Sequence, residues 1–268
     1  MIRDITLGQY YQGQSVLHKL DPRVKLFAVF IYMIVLFAGN SYAQFALSAA
    51  VFILLVWCSK IPIRFILRGL KFVFVILIMS AVCNVLFTNG EIIWQFGWIR
   101  ITYEGIYKAV YISIRLILLV LGTSLLTLTT TPNTLTDGIE KSFAFLTKIK
   151  VPVHEIALMM SIALRFIPIL MEEADKIIKA QTARGADFES GSIFRRIKML
   201  VPIIIPLFIA AFRRANDLAT AMDARCYMGG NGRTKLHPLS YQKRDYIAYG
   251  CILGYAAVFG AIRFMEVM

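Results

Sequence analysis

The sequence predicts an all-α integral membrane protein, with about five transmembrane helices and a cytoplasmic helical insert. Three observations lead there. The 268-residue chain is 58% hydrophobic and only 17% charged, which leaves too little polar surface for a soluble domain of this length. Its apolar residues gather in long runs, and Lys and Arg collect between those runs, as in cytoplasmic loops of membrane proteins. A charged insert at 129–245 also holds seventeen of the twenty-nine Lys and Arg residues.

A net charge of +13 can signal a nucleic-acid partner. Here the basic residues flank apolar runs, so the lipid bilayer is the expected partner and nucleic acid is not. Cys58, Cys83, Cys226 and Cys251 show neither metal nor disulfide spacing, and three of them lie in apolar runs. No metal site and no bound cofactor is expected. The polar opening stretch does not read as a cleavable signal peptide.

Residues 1–23 are polar and aromatic. Asp21 suits the N-cap of the first helix, and Pro22 suits its first turn, where a missing N–H costs nothing. His18 has no second ligand nearby, which favours a local hydrogen-bonding role. Apolar runs follow at about 24–38, 42–58, 70–87 and 104–128, with a last one at about 246–264. The loop 59–71 carries Lys60, Arg64, Arg68 and Lys71 and is expected inside. The loop 88–100 has one basic residue and the aromatics Trp94, Phe96 and Trp98, which place it at the outer interface. This pattern puts the N-terminus in the cytoplasm and the C-terminus outside.

Arg115 lies within the fourth run, where a charge costs roughly 2.5–3.5 kcal/mol on insertion scales. Two readings stand: a buried coupling or partner-contact charge, or an arginine satisfied by carbonyls of neighbouring helices.

The insert begins at Thr131-Pro132, where Leu135, Ile139 and Phe143 recur on one face of an amphipathic helix suited to the membrane surface. Two long helical patterns follow, at 153–184 and about 193–225. Pro168 interrupts the first, and Pro202 and Pro206 interrupt the second. Glu172, Glu173 and Asp175 read as a solvated face, since no reactive partner is evident. Ala211, Ala215 and Ala219 form a smooth stripe for close helix packing. Gly250 and Gly254 do the same on the last helix, whose partner is another helix of the chain or another subunit. Gly254 is accordingly expected to be sensitive to bulk, and Phe259 to be the more tolerant position. The chain thus divides into a membrane region at 1–128, a coupling segment at 129–245 and a final span at 246–268.

The two long helices end alike, in Ala183-Arg184-Gly185 and Ala224-Arg225-Cys226. A helix terminus exposes free carbonyls, the small alanine lets a partner surface approach, and the arginine offers a forked donor for carboxylates or terminal carbonyls. Such residues are typical interface anchors.

These motifs resemble the transmembrane T component of energy-coupling factor (ECF) transporters, which is related to the membrane subunits of cobalt-uptake systems. The resemblance covers nearly the whole chain. It rests on Gly8-Gln9-Tyr10, Ser15, His18, Leu20-Asp21-Pro22-Arg23, Lys25, Thr130-Thr131-Pro132, Ala163-Leu164-Arg165-Phe166-Ile167-Pro168 and Ala180-Gln181, and above all on the two Ala-Arg motifs. Cys226 departs from the pattern, which has glycine there. The resemblance implies a prokaryotic cell-membrane subunit with two crossed coupling helices. It would join two ABC-type ATPase subunits to a small substrate-binding (S) membrane subunit for a vitamin or metal ion. Ala183, Arg184, Gly185, Ala224, Arg225 and Cys226 would dock the ATPases, which would bind ATP and Mg, and this chain would catalyse nothing. The alternative class is an integral-membrane transferase with an active site at the cytoplasmic face. That class needs clustered acids for a cation, and Asp175, Asp217 and Asp223 are not united by a recurring motif.

Overall fold

The computed structural model describes residues 10–39, 41–96, 99–186, 193–229 and 238–267; Gly8, Gln9 and the loop 230–237 lie outside them. Eight α-helices occur among these residues: α1 Pro22–Ala38, α2 Tyr42–Ser59, α3 Ile63–Phe87, α4 Tyr103–Thr129, α5 Pro132–Ser142, α6 Val153–Ala183, α7 Ile193–Ala224 and α8 Lys243–Val267. The protein is an all-α integral membrane protein. Asp21 caps α1, its carboxylate accepting from Arg23 N, with Pro22 at the first helical position. Ser41 and Gln44 form a reciprocal capping box on α2.

The expected loop at 88–100 contains an antiparallel hairpin, β1 Ile92–Phe96 with β2 Ile99–Thr102. Its β-branched and aromatic residues suit a pleated strand. Thr102 joins the hairpin to α4. Its hydroxyl donates to the Thr88 carbonyl at 2.8 Å and accepts from Gly105 N at 3.1 Å.

Residues 8–142 and 239–268 form one compact unit, and residues 143–238 form another. In the first unit α4 packs on α1, α2 and α3, α8 packs on α1 and α2, and α5 packs on α1. One buried layer joins Tyr32 and Leu36 of α1, Phe45 of α2 and Leu118 of α4, with Tyr255 of α8 against it. A second joins Phe52, Ile61, Ile66, Leu125 and Leu128, with Tyr11 and Leu17 packed on it.

Lipid is as apolar as leucine, so close backbone approach matters more to these contacts than transfer from water. The glycines that provide it are not those of α8. A Cβ on Gly122 would stand 2.5 Å from the Tyr32 ring, and one on Gly138 would stand 2.9 Å from Pro22 Cβ. Around Gly250 and Gly254 a Cβ would meet nothing within 4 Å. Of the two partners expected for that stripe, a helix of this chain is thus not in contact with it, which leaves another subunit. The inward face of α8 carries Asp245, Tyr255 and Phe259 instead, and Phe259 is only 3% exposed.

Among the described residues, four helices are long and apolar enough to cross a membrane: α2, α4, α6 and Lys243–Met265. The fifth candidate is α3, bent by 57° between Ile63–Lys71 and Val73–Phe87. With 17 residues, α1 spans only about 25 Å. Helix α6 is among those four although it lies in the charged insert expected in the cytoplasm.

Arg115 is held at a neighbouring helix end through Nη2, while its buried Nε has no hydrogen-bond partner. Its Nη2 donates to the Gly39 carbonyl at 2.7 Å and to the Tyr111 hydroxyl at 3.0 Å, and Tyr111 itself donates to Gly39. Gly39 is the C-cap of α1, where unsatisfied carbonyls and the helix dipole both favour a cation.

Candidate docking site

In the unit of residues 143–238, α6 packs against α7. Ala157 and Ala174 are buried on α6, as is Ile203 on α7. Glu173 lies 3.6 Å from Arg214 of α7 and 4.0 Å from Lys176. One member of the acidic trio thus has a basic partner across the helix pair. The alanine stripe of α7 lies largely off the contact, since Ala211 is half-buried while Ala215 and Ala219 are exposed.

The outward faces of both helices are strongly apolar. Ile156 and Met159 of α6 are exposed, and so are Ile204, Ile205, Phe208, Ile209 and Phe212 of α7. The last five recur at three- and four-residue spacing, so they form one side of the helix.

The ends of α6 and α7 share one geometry. At α6, Gly185 N donates to Thr182 O at 2.9 Å and Ala186 N to Gln181 O at 3.0 Å. At α7, Cys226 N donates to Asp223 O at 2.9 Å and Tyr227 N to Met222 O at 3.1 Å. Both are Schellman closures, with one residue in the left-handed region. Gly185 has φ +89° and Cys226 has φ +55°. The departure from glycine therefore leaves the termination intact. A Cβ at Gly185 would meet nothing within 4 Å, so the glycine answers to backbone conformation and not to crowding within this chain. Arg184 and Arg225 immediately precede the left-handed residues. Both are exposed, as are Ala183, Gly185, Ala224 and Cys226.

Sequence reasoning missed a polar junction in the other unit. Asp245, 1% exposed, accepts from Asp21 N at 2.9 Å through Oδ1 and from Gln242 N at 2.8 Å through Oδ2. One carboxylate thereby ties the starts of α1 and α8. Lys25, also buried, donates to the carbonyls of Thr129 at 2.9 Å and His18 at 3.3 Å. His18 Nε2 bonds the Tyr11 carbonyl, which only accepts. Nε2 therefore carries the proton, and Nδ1 accepts from Ser15 at 2.6 Å. The acid three residues into α8 was the available signal, as the reach-back half of a capping box. No group of three His, Cys, Asp or Glu side chains among the described residues is placed to hold a metal ion.

The family model described as cobalt transport protein matches residues 13–236. The chain is 52% identical over 250 residues to an energy-coupling factor transporter transmembrane protein of Ruminiclostridium cellulolyticum, covering 93% of this chain and 94% of the relative. The same named protein of Clostridium kluyveri is 50% identical over 255 residues, covering 94% of each chain. That of Bacillus subtilis is 46% identical over 246 residues, covering 91% of this chain and 93% of its own. With membrane-length helices and similarity over nearly its whole length, the chain belongs to the transmembrane-component (EcfT) family of energy-coupling factor transporters.

Proposed function

We propose that this chain is the non-catalytic coupling subunit of an ECF-type importer. It binds one ABC ATPase subunit at each of the two helix ends and passes their ATP-driven movement to a separate membrane subunit that binds a vitamin or metal ion. The observation that carries this reading is the equivalence of the two termini. Two helices of one unit present the same exposed Ala-Arg step on the same backbone closure, which suits two equivalent partners. Each exposed guanidinium offers five donors in a fixed fork, fit for a carboxylate or for carbonyls in a groove. The apolar outward face from Ile204 to Phe212 suits a partner that is itself embedded in lipid. ATP and Mg belong to the ATPases in this reading. The membrane is that of a prokaryotic cell, with the N-terminus and residues 143–238 inside and the C-terminus outside.

Pulldown of ATPases from native membranes at fixed salt tests it. Truncating one partner of a buried charge contact costs roughly 2–5 kcal/mol, and a complex held at two places survives one such loss because the intact arm keeps the effective concentration high. Arg184→Ala and Arg225→Ala are each expected to weaken ATPase recovery, and the double variant to abolish it. Full recovery with the double variant would reduce the two motifs to ordinary helix ends.

A further inference from the structure

We propose that Asp245 is the positioning residue through which the membrane helices receive movement from residues 143–238, because its carboxylate fixes the returning chain to the start of α1. This rests on the coupling role proposed above. The chain leaves the membrane unit between Ser142 and Phe143 and returns between Pro238 and Leu239. On the membrane unit's side, both crossings are held at one place.

The outgoing crossing follows α5, which lies against the first turn of α1. Thr136 and Gly138 are buried there, and a Cβ on Gly138 would crowd Pro22 at 2.9 Å. At the end of α5, Lys141 Nζ donates to the Leu239 carbonyl at 3.4 Å, which joins the outgoing crossing to the returning one. Two residues on, the Tyr241 ring lies under the Arg23 guanidinium at 3.8 Å. Arg23 is held by Asp21, whose two oxygens accept from Nε at 3.0 Å and Nη2 at 2.8 Å. Asp245 completes the post, with one oxygen on the backbone before α1 and the other on the backbone before α8.

A displacement carried by the chain at either crossing therefore reaches α1 and α8 together. The chemistry requires a carboxylate, because its two oxygens accept from two separate backbone N–H groups. An amide at 245 has one acceptor oxygen and would turn an NH2 against the second N–H.

The test uses the complex copurified with its ATPases in nanodiscs, with an environment-sensitive fluorescent amino acid at the exposed Leu253 of α8 and Mg-ATP as the probe. In the otherwise wild-type complex, ATP is expected to change the fluorescence. In Asp245→Asn the change is expected to fall about fivefold or more, while ATPase recovery and ATP hydrolysis stay at the wild-type level. Lys141→Met with Tyr241→Leu, which loosens the exposed limbs and leaves the buried carboxylate alone, is expected to lower the change in the same direction. That pair carries the test if Asp245→Asn does not assemble. An unchanged response in the variants, a silent label in the wild-type chain, or hydrolysis falling in step with the fluorescence each overturns the proposal. Capture of no ATPase by the wild-type chain would overturn the coupling reading itself and this proposal with it.

Discussion

Gly185 and Cys226 stand at the same place in two helix ends. Each is the left-handed residue of a Schellman closure, and each follows an exposed arginine. Glycine adopts that conformation freely, whereas an L-residue with a Cβ pays roughly 1–2 kcal/mol for it. Part of that cost returns through the unfolded chain, which glycine makes more flexible. Cys226→Gly is therefore expected to stabilise the end of α7 by about 0.5–1 kcal/mol, read as slower amide exchange at residues 226 and 227. Gly185→Ala is expected to act with the opposite sign at α6. A faster-exchanging Cys226→Gly terminus would show that the cysteine side chain contributes more than its backbone costs.

The glycines of the membrane helices divide into packed and open. Gly122 faces the Tyr32 ring, which is itself buried at 7% exposure, so the ring has little room to give way. Gly122→Ala is expected to cost about 1–3 kcal/mol by overpacking, whereas Gly254→Ala in the isolated chain is expected to cost almost nothing. Phe259 ranks the other way from what its neighbouring glycines suggest: Phe259→Leu removes ring volume from a buried site and is expected to lower thermal stability. Melting temperatures of the three purified variants in one detergent decide the order.

What the sequence made legible follows from how local each signal is. Asp21-Pro22 starts α1 because capping involves only the next few residues. The paired endings of α6 and α7 were readable for the same reason. The spacing of Gly250 and Gly254 locates a smooth face but says nothing of what lies opposite it, and here the chain offers nothing. Asp245 carried little local signal between Lys243, Arg244 and Tyr246, because its second donor lies 224 positions earlier. The hairpin at 92–102 was hidden by its composition, since Trp, Phe and Ile also mark a membrane interface.

The N-terminal segment should make the protein acid-sensitive. Burial first, and then the nearby Lys25 charge, hold the His18 imidazole below its usual value of 6.5, against the opposing pull of the Tyr11 carbonyl. The folded protein therefore binds fewer protons at His18 than the unfolded chain does. The stabilisation from this group is fully present above the unfolded value and is lost as pH falls through the folded one. Thermal melts between about pH 8 and pH 5 are expected to show a decline on the acid side that is shallower in His18→Gln, which keeps a neutral donor and acceptor. Parallel curves for the two proteins would assign the decline to other groups.

Arg115 and Tyr111 both donate to one carbonyl, Gly39 at the end of α1. That redundancy makes their loss non-additive. Arg115→Met removes a charge that is expensive within the bilayer, roughly 2.5–3.5 kcal/mol on insertion scales, and leaves the Tyr111 hydroxyl on the carbonyl. Tyr111→Phe removes that hydroxyl and leaves the guanidinium. Each single change is expected to alter stability by less than about 1 kcal/mol, the net worth of an ordinary hydrogen bond. The double change strips the carbonyl of both donors in a place where water does not replace them, and an unsatisfied buried acceptor costs about 1–3 kcal/mol. The cost of the double change should therefore exceed the sum of the singles, which the double-mutant cycle reads as a non-zero coupling. It should be visible in the folded chain without any partner. A cycle that closes additively in the isolated chain, with Arg115→Met nevertheless abolishing transport, would instead return Arg115 to the role of a coupling charge.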